Sequence, residues 1–284
     1  MSKNDNSSIT HVAPAFDAIS ANPKAVMHFL EILNKRIKNR TKIPVHGIDA
    51  KQIQWYYNSK RYNRKEIKRR SPVSFLQYLL DHNELINCSQ LETIRDKIKI
   101  DARKKAFQTS EAKKDAFANL EIQYRFGLPG KSLYAIEGNS QPDVCLKTNK
   151  FILLIEGKHT ENKLTANTNW IKNRDQLVRH IDSFLDNSDG EFGASLPVFG
   201  IEIVSNTDYD FHIYEDDSNF DIWLPHRSPE LRKYVKENCI IPHMTWGELL
   251  AAFDGIATWT YGKKAQHPKH KRKISMQSVI GDIY

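Results

Sequence analysis

The 284-residue chain is long enough to bury one large core or two modest ones, and its 40% hydrophobic and 27% charged content reads as an ordinary soluble protein. No apolar run approaches the roughly 20 residues that span a bilayer, and the opening MSKNDNSSIT lacks the apolar centre of a secretory signal. A formal net charge of +8 favours a polyanionic partner, while three scattered cysteines, Cys88, Cys145 and Cys239, show neither a CxxC pair nor zinc-ligand spacing and predict a reduced, cytoplasmic protein.

Residues 1–20 read as a polar, disordered lead-in. Asn22-Pro23 then predicts an N-cap and a first helical residue, followed by Ala25, Phe29, Leu33 and Ile37 at helical spacing. A second segment from about Asp49 carries Ile53, Trp55, Tyr56 and Tyr57. It runs into SKRYNRKEIKRR, where Lys60, Arg61, Arg64, Lys65, Lys68, Arg69 and Arg70 face one acid, Glu66. After Ser71-Pro72, the residues Phe75, Leu76, Leu79 and Leu80 form the apolar stripe of a short helix. Residues 21–99 are therefore expected to be a mainly helical, basic domain.

Ser89-Gln-Leu-Glu92 fits a capping box, and its helix is expected to continue, with a break, to Glu121. The period then changes. SLYAIEG (132–138), DVCLK (143–147) and FILLIEGK (151–158) read as successive strands, 168–187 as a helix, and PVFGIEIVS (197–205) as a buried strand. Short strands and helices at 229–238 and 246–253 follow, so 100–260 reads as an α/β domain. Residues 261–284 form a basic tail; His267 and His270 within it have no partners for zinc.

The chemistry gathers at the second and third strands. With Thr148-Asn149 as the turn, Lys147 faces Lys150, Cys145 faces Ile152 and Asp143 faces Leu154. Side chains alternate along a strand, so Asp143, Leu154, Glu156 and Lys158 share one face. Val144, Leu146, Phe151, Leu153 and Ile155 take the other, and the assignment rests on the parity of the turn. Two neighbouring carboxylates repel unless positive charge lies between them, and a hard divalent cation suits oxygen ligands. With a lysine alongside, the set is suited to phosphodiester hydrolysis.

Pro142-Asp143, followed after an apolar strand by Glu156-Gly157-Lys158, resembles the PD-(D/E)xK nuclease superfamily. The resemblance covers residues 100–205, where the element order helix, three strands, helix, strand also agrees. It implies a restriction-endonuclease-like core, a mixed sheet flanked by helices. It further implies Asp143 and Glu156 as metal ligands, the Gly157 carbonyl as a possible backbone ligand, and Lys158 as the catalytic lysine, with Mg²⁺ as cofactor and Mn²⁺ as a substitute. An upstream acid is also implied, with Glu121 preferred to Glu111. One branch of the family carries a glutamine followed four positions on by tyrosine; here Gln176 is followed by His180, a departure that puts membership of that branch in doubt. The expected activity is Mg²⁺-dependent cleavage of double-stranded DNA in restriction or other defence, with a repair nuclease or a non-catalytic DNA-binding protein as alternatives and a homodimer as a plausible assembly.

The accessory readings stay double. Arg174 and Arg179 contact either backbone phosphate or an acid such as Asp182. The Lys60–Arg70 run is either a phosphate-binding surface, within a helix-turn-helix or winged-helix module, or a solvated face. Trp170 and Trp246 read as core packing, and His159 and Glu161 as cleft or loop residues.

Overall fold

The computed structural model describes residues 12–38, 40–58, 65–85, 109–112, 114, 115, 118, 137, 140–158, 174–186, 196–205, 210–253, 260, 261, 272 and 273. Their centre is a mixed five-stranded sheet of β1 (Gln54–Tyr57), β2 (Val144–Lys147), β3 (Ile152–Gly157), β4 (Val198–Val204) and β5 (Met244–Thr245), in that order across the sheet. The pairs β1–β2 and β2–β3 are antiparallel, whereas β3–β4 and β4–β5 are parallel. The expected α/β class, a mixed sheet flanked by helices, is observed.

Each face of the sheet carries an apolar cluster. On one side Val144, Leu146, Leu153, Ile155, Phe199, Ile201 and Ile203 meet three helices: α1 (Ala13–Ser20), α2 (Pro23–Arg36) and α7 (Trp246–Ala252). On the other, Cys145, Ile152, Leu154 and Val198 meet α4 (Gln176–Leu185), α5 (Asp217–Trp223) and the turn after α6 (Pro229–Tyr234). A further helix, α3 (Val73–Asp81), buries Phe75, Leu76, Leu79 and Leu80 as its stripe predicts. Each of these large apolar side chains contributes about 1.5–3 kcal/mol when fully buried.

Local signals explain the helix starts. The Asn22 side chain accepts from the Lys24 N–H and Pro23 opens α2. Thr245 and Glu248 form a capping box for α7, and Arg36 in the last turn of α2 reaches Glu248 at 2.8 Å.

Two expectations change. Residues 13–20, read as part of a disordered lead-in, form a helix whose Phe16 and Ile19 are fully buried. The segment after Asp49, within a region expected to be mainly helical, supplies β1, because Trp55 and Tyr57 face one apolar cluster while Tyr56 packs against the other. This alternation is the strand period, and it fills the place beside β2 that residues 132–138 were expected to take; of those, only Glu137 is described, in a turn. Thr260–Tyr261, at the start of the basic tail, pairs antiparallel with Arg272–Lys273 within it. The Ser89–Glu92 capping box lies outside the described residues.

Two glycines let helices approach the sheet closely. A Cβ on Gly157 would stand 2.1 Å from Val12 Cγ2 and 3.2 Å from Trp246 Cζ2, and one on Gly200 would meet Ile181 and Leu177 Cδ1 atoms at 2.9 Å. Gly157→Ala is expected to destabilise the protein by about 1–3 kcal/mol through overpacking, read from the denaturant midpoint. Adding Val12→Ala in the same chain is expected to recover part of the loss, and no recovery would show that Val12 is not the obstacle.

Candidate active site

The β2–β3 register differs from the expected one by two residues. Cys145 faces Leu154 and Val144 faces Ile155. The turn is longer because Thr148 closes it: its N–H donates to the Phe151 carbonyl at 2.9 Å, and its hydroxyl accepts from the N–H groups of Lys150 and Phe151, each at 3.0 Å. A shift of two preserves parity, so each residue keeps its expected face. It also moves Asp143 from a place opposite Leu154 to one beside Glu156.

The contacts there are specific. Asp143 Oδ2 accepts from the Gly157 N–H at 3.0 Å, and the Asp143 N–H points to Glu156 Oε2 at 3.4 Å. The Asp143 carbonyl accepts from the Asn58 N–H just past β1, at 2.9 Å. Lys158 Nζ stands 3.9 Å from Glu156 Oε1. Its main chain is pinned to the sheet edge, with its N–H on the Ile203 carbonyl at 2.7 Å and its carbonyl accepting from Trp246 Nε1 and Ser205 Oγ, each at 3.2 Å. Trp246 is thus core packing with a polar handle. Asp143, Glu156 and Lys158 are 6%, 4% and 3% exposed, which makes each charge expensive to leave uncompensated.

Helix α4 closes the site from one side. Gln176 and His180, four residues apart, lie on one helix face. Gln176 Nε2 donates to Glu156 Oε1 while its Oε1 accepts from Lys158 Nζ at 2.7 Å. His180 Nε2 lies 3.3 Å from Glu156 Oε2, and its Nδ1 is hydrogen-bonded to Ser140 Oγ. Burial, aided by the Arg179 charge, pushes the His180 imidazole down to about 3, so the ring is neutral at physiological pH. Asp175 caps α4 through the Val178 N–H at 2.8 Å and accepts from Tyr214 Oη at 3.2 Å. Burial pushes its carboxyl up to about 6 against those hydrogen bonds and the Lys158 charge.

The sequence did not single out Ser140, Asp175 or Glu202. Glu202 is the neighbour of Glu156 in the parallel β3–β4 ladder and is 1% exposed, so Glu156 and Glu202 sit on adjacent strands, with Asp143 immediately before β2. Its signal was available: it is the lone acid in the apolar run of β4, out of phase with Phe199, Ile201 and Ile203. Among the described residues no three His, Cys, Asp or Glu side chains are arranged to hold one metal ion.

The basic residues divide by burial. Lys65 and Lys68 are exposed, Lys68 pairing with Glu66 at 3.0 Å, and Arg70 is half-buried. Of the candidate phosphate contacts, Arg69 and Arg174 are both buried, at 3% and 1% exposure. The Arg69 guanidinium lies over the Phe184 ring. Arg174 takes the acid alternative, with Glu137 and Asp182 each at 2.7 Å and the Phe75 ring 3.5 Å away. Arg179 stands 3.5 Å from Glu137. Asp182 also meets Arg227 at 2.7 Å and His226 at 3.1 Å; burial raises its carboxyl, but His226 and the two arginines outweigh that and hold it below the usual range. Glu111 is exposed. Glu121, Lys60, Arg61, Arg64, His159, Glu161 and Trp170 lie outside the described residues.

Asp175 gives a pH signature. Its folded pKa of about 6 lies above the ordinary 3.8, so between these values the folded chain binds the extra proton and stability falls as pH rises. Asp175→Asn keeps a good N-cap and removes this contribution. Relative to wild type, the variant is expected to gain stability from pH 4 to 6 in urea midpoints; parallel profiles would contradict it. No protein-family model, curated protein or solved structure matches this chain.

Proposed function

We propose that the protein is a divalent-metal-dependent endodeoxyribonuclease that hydrolyses double-stranded DNA, in restriction or another defence against foreign DNA. One observation carries the reading: two buried carboxylates, Asp143 just before β2 and Glu156 on β3, meet across the hairpin with a lysine ammonium 3.9 Å from the second. The restriction-endonuclease-like assignment rests on the same residues together with the order β2, β3, α4, β4.

The donor set fits Mg²⁺ or Mn²⁺. It is all oxygen, and Mg²⁺ is commonly held by one or two carboxylates with waters completing its shell. Two neighbouring buried carboxylates repel each other, and a cation between them would relieve that repulsion. Asp143 and Glu156 would hold the ion, with the Gly157 carbonyl as a third oxygen. When bound, such an ion polarises the phosphate and eases deprotonation of water.

The chain's own residues supply the rest. Asp143 is oriented by the Gly157 N–H, and Glu156 by the Gln176 side-chain amide. Lys158 is suited to neutralise charge gathering on the phosphate or to exchange a proton at Nζ. To do so, it trades its bond to Gln176 Oε1 for a phosphate oxygen. Lys65 and Lys68, with Lys60, Arg61 and Arg64 in the same run, suit a non-specific grip on the backbone. Cutting both strands suits two copies of the chain.

Purified protein is expected to cut DNA with Mg²⁺ and not with EDTA. Asp143→Asn, Glu156→Gln and Lys158→Met are each expected to lower cutting by about a hundredfold or more while gel-shift retention of DNA persists. Unchanged cutting in all three would remove this site from the reaction. Discrete plasmid fragments would favour restriction, and a preference for branched DNA would move the assignment to repair.

A further inference from the structure

We infer that Trp246 and Ser205 are positioning residues for Lys158: together they clamp its carbonyl and so fix the root from which the lysine side chain reaches the site. The inference rests on the nuclease reading above, in which the Lys158 ammonium acts on the phosphate.

Strand β3 ends at Gly157, so Lys158 stands one residue past the regular ladder. A backbone carbonyl has two lone pairs, and an enclosed one needs donors. Here both donors are side chains from other elements. The Trp246 Nε1–H comes from the first residue of α7 and the Ser205 hydroxyl from just past β4, each at 3.2 Å. The Lys158 N–H donates to the Ile203 carbonyl of β4 at 2.7 Å. Three hydrogen bonds thus hold the main chain of one residue whose side chain is long and has four rotatable bonds. A small rotation at its root would be magnified at Nζ, and misplacement by about 1 Å costs on the order of a hundredfold in rate.

The clamp is itself held. The Trp246 indole lies against Gly157, where a Cβ would stand 3.2 Å from Cζ2, so the absent side chain leaves room for the ring. Trp246 is 2% exposed and opens α7, whose N-terminus is closed by the Thr245–Glu248 capping box. Arg36 of α2 pairs with the same Glu248 at 2.8 Å and donates to the His243 carbonyl at 2.9 Å. Thr245 pairs with Val204 in the β4–β5 ladder, which brings Trp246 beside Ser205 at the end of the sheet. Trp246 therefore holds the lysine from a part of the chain beyond residues 100–205, which carry the nuclease resemblance.

Indole exchange and a mutant cycle test this together. In ¹⁵N-tryptophan-labelled wild type, the Trp246 indole N–H is expected to exchange slowly with solvent, its signal assigned by its loss in Trp246→Phe. Exchange at the rate of a free indole overturns the proposal. Trp246→Phe keeps a buried ring without the donor, and Ser205→Ala removes the other donor. Each is expected to lower kcat for DNA about 10–100-fold with KM unchanged. Ser205→Thr returns the hydroxyl and is expected to recover most of its loss. In a Lys158→Met background both substitutions are expected to lose most of their effect, because they act through the lysine. A loss caused by poorer folding would persist there, and an undiminished loss overturns the proposal. Should Trp246→Phe not fold, Ser205→Ala carries the same cycle. If Lys158→Met cuts poorly and the folded donor variants cut as wild type does, the clamp fails and the nuclease reading stands. If wild type does not cut, or Lys158→Met cuts as wild type does, the reading of Lys158 fails and takes this one with it.

Discussion

The arrangement depends on the register of one hairpin. Thr148 closes the turn with its backbone N–H and its hydroxyl, leaving four residues, Thr148 to Phe151, between the paired strands. This length brings Asp143 beside Glu156. A slip of one residue would carry one strand's side chains to the opposite face, moving Asp143 among the apolar groups that pack against α1 and α2. The same parity that fills both apolar layers therefore also fixes where two buried acids meet. Apolar packing on either side of the sheet resists the slip, and the acids are held against their mutual repulsion by Lys158 and Gln176.

Helix α4 is the second determinant, because it serves packing and polarity at once. Leu177, Val178, Ile181 and Phe184 seat it on the sheet, while Gln176 and His180 reach Glu156. Beneath it, Arg174, Asp182, Arg227, His226 and Glu137 form a buried ionic network. Such networks add little net stability, since desolvation offsets their attraction, but removing one member strands a charge. Here the network ties α4 to Phe75 of α3 through the Arg174 guanidinium, fixing the height and rotation at which the helix meets the acids.

Much of this was legible in the residues, and the exceptions have physical reasons. Alternation along β2 and β3 gave the correct faces, and the four-residue spacing of Gln176 and His180 gave a shared helix side. The register was not legible, because a threonine side chain lengthened the turn. Gln54–Tyr57 misled because Ile53, Trp55, Tyr56 and Tyr57 are too few to separate a helical period from a strand buried on both faces. Arg69 and Arg174 looked like surface charge because composition counts guanidiniums without saying which of them a fold encloses. Ser140 carries no sequence pattern at all; only the folded chain brings it to His180.

The basic stretch has a further property. Lys65 is stitched to β1 through the Tyr57 N–H, and Arg69 is stitched to Ser140 by paired backbone bonds. Lys65 and Lys68 thus project from an extended rail anchored at both ends, not from a loose arm. The anchor at Ser140 is the residue whose hydroxyl meets His180. A pull on that rail would therefore reach the seat of the imidazole, since both hang on the same backbone joint.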